Sequence, residues 1–168
     1  VVPLLDDPRV LLRAKACEAI GMSHAIEHVE AVVARTGDPS HRVQLACALA
    51  LYDLRDPRGE PALKRLTEAP ATEHLMVPHL ELGNAAARRR DLATARRELA
   101  RAVELAPYYV DGLAMLAGYA AQQGDLAEAK ARVAQALALE PHHKGALGLA
   151  KHLAEDPRAS AAPGPHTP

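Results

Sequence analysis

Residues 76–141 are written twice. Offsetting the chain by 34 residues lays Met76–Pro107 on Val110–Pro141, and 11 of the 32 pairs are identical. Alanine accounts for several of these pairs. The doubled Asp-Leu-Ala-x-Ala run at Asp91 and Asp125, and the doubled closing prolines Pro107 and Pro141, are harder to obtain from composition. A period of 20 to 50 residues means a stacked repeat, and 34 is the length of one helix-turn-helix unit. Within each copy Leu82, Ala86 and Arg90-Asp91 close a first helix, and Ala95, Leu99 and Ala102 mark one face of a second. Pro107 and Pro141 follow apolar runs and lack a backbone donor, so each ends its second helix.

The remaining sequence fits the same architecture. A weaker period of about 31 residues brings Asp7-Pro8 onto Asp38-Pro39, Leu12 onto Val43, Ala16 onto Cys47, and Ile20 onto Leu51. An aspartate can cap free N–H groups and a proline suits a first turn, so helices are predicted over 8–20, 24–34, 39–54 and 60–67. After Pro141, the spacing of Leu147, Leu149, Ala150, Leu153 and Ala154 predicts a capping helix over 142–155. Residues 156–168 hold four prolines and a glycine and read as a flexible tail. The expected divisions are therefore 1–69, a junction at 70–75, two units over 76–141, the cap and the tail. The start at Val1 and the Pro-rich end suggest a module of a larger protein or assembly.

Composition narrows the function classes. No uncharged stretch offers the roughly 20 apolar residues that a membrane-spanning helix needs. Twenty Lys plus Arg against 21 Asp plus Glu leave a net charge of -1, so no global field draws the chain to nucleic acid or an anionic surface. Cys17 and Cys47 sit in Ala-rich helical stretches, where a free cysteine behaves as a small buried apolar residue. A disulfide is not expected.

The C-terminal half resembles the tetratricopeptide repeat (TPR) family, through Leu82-Gly83, Ala95, Ala102 and Pro107, then Leu116, Gly124-Asp125, Ala129, Ala136 and Pro141. It departs from the family at the aromatic positions, filled here by His79, Leu99, Leu113 and Val133, and Ala117 stands where the first unit has Gly83. The N-terminal half resembles short HEAT-like repeats of the phycobilisome-lyase type. The residues are Leu5-Asp6-Asp7-Pro8, Leu12-Arg13, Ala16-Cys17 and Ala19-Ile20-Gly21, then Gly37-Asp38-Pro39, Val43-Gln44 and Leu54-Arg55-Asp56-Pro57. Gln44 replaces the second arginine. Together the resemblances imply an all-α fold, a right-handed α-α superhelical solenoid of helical hairpins.

Chemistry-bearing motifs are few. The chain has no Gly-rich phosphate loop, no Gly-x-Ser-x-Gly turn, no Cys-x-x-Cys and no His-Glu-x-x-His. His24 and His28 share a helix spacing but lack an identifiable third ligand. HEAT-like enzymes that bind iron through consecutive His-Glu pairs would need that dipeptide, and only the reversed Glu27-His28 and Glu73-His74 occur. His142, His143 and His152 read as a helix entrance with solvent contact. No catalytic residue, metal or cofactor is assigned. Arg88, Arg89, Arg90, Arg96, Arg97 and Arg101 make one edge locally basic, offset by Asp91 and Glu98; it reads mainly as a solvated face, then as a site for an acidic protein partner, and last as one for nucleic acid, which usually wants more basic area or stacking aromatics.

The TPR resemblance assigns binding to an inner wall built from the first helices. Those positions hold Val77, Leu80, Asn84, Ala87 and Arg88, then Asp111, Ala114, Gly118, Ala121 and Gln122, then Gly145, Gly148 and His152. Only Asn84 and Arg88 suit a carboxylate clamp; the small residues instead leave room for a partner helix or chain segment. The expected function is a non-catalytic protein-interaction or scaffold module. Its expected contacts are Leu80, Asn84, Arg88, Asp111, Ala114, Gly118 and Gln122, and its expected partners are proteins, peptides or other parts of an assembly. Nucleic acid is not expected. The alternative is an accessory domain of a larger enzyme or cofactor-bearing assembly, or a lyase-like HEAT protein.

Overall fold

The computed structural model describes residues 1–156, so 157–168 of the expected tail lie outside the described residues. These fold into nine α-helices and three short 3-10 turns, with no β-strand among them. The helices are α1 (Val10–Met22), α2 (Val29–Ala34), α3 (His41–Asp53), α4 (Gly59–Glu68), α5 (Met76–Arg88), α6 (Leu92–Leu105), α7 (Val110–Gln122), α8 (Leu126–Leu139) and α9 (Lys144–Glu155). The fold is all-α, as the repeats require. The chain divides into two compact units, Val1–Ala85 and the residues from Ala86 on, with the division inside α5.

In the first unit α1 and α3 form the central pair. Ile20, Val32, Val43 and Leu51 are fully buried between these helices and α2, and each such side chain contributes roughly 1.5–3 kcal/mol by leaving water. The helices approach closely at Gly21, where an added Cβ would lie 2.8 Å from the Ala50 Cα. A second cluster joins Ala48 of α3 to Ala62, Leu63 and Leu66 of α4 and Leu82 of α5.

Two expectations for this unit are corrected. Cys17 and Cys47 are both fully buried and joined in a disulfide, with their Cα atoms 4.9 Å apart. The 31-residue period pairs Cys17 with Ala48 and Ala16 with Cys47, so it conceals that the two cysteines face each other across the α1–α3 seam. The helix expected over 24–34 is a 3-10 turn at Ile26–His28 followed by the short α2, because His24 takes a left-handed backbone (φ 51°) and forces a restart.

The Asp-Pro signals work one step earlier than expected. Asp7, Asp38 and Asp56 do not cap the helix interior. Each carboxylate accepts the N–H two residues on, from Arg9, Ser40 and Arg58, at 2.9 Å in every case. The helices α1, α3 and α4 begin after those residues. The Arg9 side chain and N–H together hold the Asp7 carboxyl down at about 2. Asp38 carries more: Arg13 forks onto it at 2.8 and 3.0 Å and also donates to the Asp7 carbonyl at 2.8 Å. Gln44, where the family pattern has arginine, donates instead to the Asp38 carbonyl at 2.6 Å.

The second unit shows the 34-residue period in its coordinates. The starts and ends of α7 and α8 fall 34 residues after those of α5 and α6, and α9 starts 34 residues after α7. Asp91 and Asp125 each accept the N–H three residues on, from Thr94 and Glu128, both at 3.1 Å. Ala95, Ala102, Ala129 and Ala136 are fully buried, so α6 and α8 each turn small side chains inward. Leu153 of α9 closes on Ala117, Ala120 and Val133.

One device ends four of the helices. His24, Arg55, Arg90 and Gly124 have φ of 51°, 57°, 62° and 83°. The residue after each donates back to a carbonyl five positions earlier: Ala25 to Ile20, Asp56 to Leu51, Asp91 to Ala86 and Asp125 to Ala120, at 2.9–3.2 Å. This is the left-handed closure usually given to glycine. Only one of the four positions uses it. Arg90→Gly should therefore stabilise by about 0.5–1 kcal/mol and Gly124→Arg should destabilise by about as much; urea melts of the two variants check the pair.

Candidate functional site

The first helices carry the residues assigned to the wall. In the first unit, Leu80 and Asn84 of α5 are half-buried. Asn84 bonds to the half-buried Glu81, whose carboxyl is pushed up by burial, pulled down by Asn84 and raised again by Asp53. A wall residue expected to meet a partner is thus engaged with an acid that sequence reasoning did not single out.

In the second unit, Arg88, Asp111 and Gln122 are exposed, and Ala114 and Gly118 are half-buried. A Cβ built at Gly118 or at Gly148 of α9 would meet nothing within 4 Å. Ala121, counted with the wall in sequence, is buried in the core instead. Asp111 is held from α9's entrance: His143 Nε2 lies 2.9 Å from its Oδ1. Thirty-two residues separate the pair, which falls two short of the period and leaves no repeat signal to find it.

The basic edge is largely spent on internal pairs. Arg96 reaches Asp125, which caps α8, and Glu128 within that helix, and bonds to Gln123 at 3.0 Å. Arg97 pairs with Glu98 at 3.1 Å, and Arg101 with Glu104 at 3.0 Å. The N–H of Glu128, then Arg96, keeps the Asp125 carboxyl below the usual range. Six arginines in sequence thus amount to much less free positive charge in space. Among the described residues no three His, Cys, Asp or Glu side chains gather to hold a metal ion.

A cavity that the sequence did not announce opens on the second-helix side. It measures about 420 Å³ and lies between the ends of α6 and α8 and the start of α7. Val103, Pro107, Leu113 and Leu139 form its apolar lining, with Arg132 and Gln135 beside them. Arg132 spans Gln135 at 3.1 Å and Glu128 at 3.4 Å.

Comparison with known proteins gives a family match over the N-terminal part and a structural likeness over most of the chain. The family model of HEAT repeats matches residues 1–74. The N-terminal half carries HEAT-like repeats. Among solved structures the chain is similar to the crystal structure of YrrB, a TPR protein with an unusual peptide-binding site. That likeness has a TM-score of 0.60 at 20% identity and covers 82% of this chain and 74% of that one. No curated protein matches. At that identity the likeness speaks for the fold, and it agrees with the 34-residue hairpins that follow the HEAT-like segment. HEAT-like and TPR-like hairpins are scaffolds for protein interaction in general, stacked so that each repeat covers its neighbours and leaves long exposed surfaces. No helix among the described residues is long and apolar enough to cross a membrane.

Proposed function

We propose that the chain is a non-catalytic protein-binding module that takes a helical or extended peptide segment along the first-helix wall of its second unit. The observation that carries this reading is the open space at Gly118 and Gly148, beside the half-exposed Ala114. Helix positions without a side chain let a partner backbone approach within van der Waals distance. Asp111 and Gln122 would flank the segment with polar groups, and Arg88 would add a cation at the end of α5. In the first unit, Leu80 and Asn84 are proposed contacts in their own right. The similarity to a TPR protein with a peptide-binding site supports this class of partner. The neutralised arginine edge weighs against nucleic acid, whose affinity rests on free cations.

The test uses a peptide selected against the intact chain from a displayed random library. At Gly118 an added Cβ would meet nothing within 4 Å, and the same holds at Gly37, in the 3-10 turn Arg35–Gly37 of the first unit, so at both positions a new side chain starts without displacing a neighbour. Gly118→Trp should weaken peptide binding by at least about tenfold, roughly 1.4 kcal/mol, and Gly37→Trp should leave it unchanged, both with wild-type circular dichroism. Equal affinity for Gly118→Trp and the wild type would remove the wall from consideration.

A further inference from the structure

His143 does two things with one ring. It is the residue that opens α9, and its Nδ1 accepts the Ala146 N–H at 3.2 Å, closing the helix entrance. Its Nε2 lies 2.9 Å from Asp111 Oδ1. A nitrogen that accepts an N–H carries no hydrogen of its own, so Nδ1 is bare and Nε2 carries the proton offered to Asp111. The ring's side chain is 14% exposed, whereas that of Asp111 is 70% exposed. Tyr109, the equivalent position before α7, makes no such side-chain cap.

We propose that His143 is a proton-operated latch on α9, closed when its imidazole is neutral and released when Nδ1 is protonated. Protonation turns the cap acceptor into a donor aimed at the Ala146 N–H, so that bond must break. Loss of a helix cap shifts a local equilibrium about fivefold toward the frayed state. A cation at a helix N-terminus adds roughly two- to fivefold in the same direction. The opposing gain is the ion pair with Asp111, which so exposed an acid limits to about fivefold. The balance favours release. Other charges nearby do not reverse it. α7 carries no charged side chain besides Asp111, and α8 carries Glu128, Lys130 and Arg132, of which the first and last are paired with each other. Glu140 and His142 precede the ring, and Lys144, Lys151, His152 and Glu155 lie along α9. What the latch holds is substantial: Ala146, whose N–H it caps, is fully buried with Val103, Leu113 and Ala136.

The proposal does not depend on what the wall binds, and amide hydrogen exchange on the full chain tests it. Between about pH 7.5 and 5, the span in which imidazoles titrate, protection of the Ala146 amide should fall about two- to fivefold after correction for intrinsic rates. His143→Asn keeps a cap acceptor that does not titrate and should abolish that fall. Nitrogen-15 shifts of the ring should report the hydrogen on Nε2 at neutral pH. A constant protection in the wild type, an equal fall in His143→Asn, or the hydrogen on Nδ1 would each overturn the latch.

Discussion

Opening the Cys17–Cys47 bond is expected to lower the stability of the first unit by about 3.5 kcal/mol, from the chain entropy released when a loop of some 30 residues is no longer closed. The reduced side chains would remain as two small apolar groups in a buried seam, so the folded state itself changes little. The loss therefore comes from the unfolded chain. Thermal melts with and without a reductant, or of the Cys17→Ala, Cys47→Ala double variant, should separate by well over about 5 °C, since 1 kcal/mol moves a domain of this size by about 4–8 °C. The bond itself is checked by thiol titration of the unfolded, unreduced protein, where no free thiol is expected. Two free thiols there, or superimposed melts, would contradict the staple. The unit's stability is thereby tied to the oxidation state of its surroundings.

Removing the Asp38 carboxylate is the next largest effect. The Asp38 side chain is 1% exposed and takes a two-pronged contact from Arg13, whose own side chain is 13% exposed. Asp38→Ala leaves that guanidinium without its partner and frees the Ser40 N–H, which should cost about 2–3 kcal/mol. A wholly interior pair would cost more, about 3–5 kcal/mol, but Arg13 still touches water. The pH dependence has a definite sign. The Arg13 bond, followed by the Ser40 N–H, holds the Asp38 carboxyl below the usual aspartate range against the opposing pull of burial. Its contribution is therefore complete above the unfolded value near pH 4, and it is lost as pH falls through the lower folded value. The urea midpoint of the wild type should drop on acidification below about pH 4 more steeply than that of Asp38→Asn. Parallel curves would show that the carboxylate is not the group responsible.

What could be read from the sequence was whatever the repeats write twice. Asp91 and Asp125, the two closing prolines, and the alanines at 95, 102, 129 and 136 recur because each hairpin must cap and bury itself in the same way. The helix boundaries of the second unit consequently fall where the period puts them. Features that join different positions of successive repeats left no such trace. The Cys17–Cys47 bond and the Asp111–His143 contact span 30 and 32 residues, each off its local period. The left-handed helix ends were hidden for another reason: three of the four use His or Arg, residues that give no turn signal. The candidate wall was legible in part. Gly118 and Gly148 advertise missing side chains, and the structure leaves space there. Ala121 looks the same in sequence and lies in the core, since an alanine does not reveal which side of its helix is covered. Arg97 and Arg101 meet Glu98 and Glu104 of their own helix, a pairing the sequence spacing allows, whereas Arg96 takes Glu128 from another helix, which only the fold supplies.

The alanine seams change what kind of damage these hairpins are sensitive to. Most protein interiors are harmed by trimming a large side chain, because the vacated volume does not refill. Where the buried residue is itself an alanine, there is little to trim and no rotamer entropy was given up in burying it. Enlargement is the hazard instead: at Ala95, Ala102, Ala129 or Ala136 even one added carbon would have to wedge two helices apart. Drift at these positions is thus bounded from above by size, while the surfaces facing outward are free to diversify toward new partners.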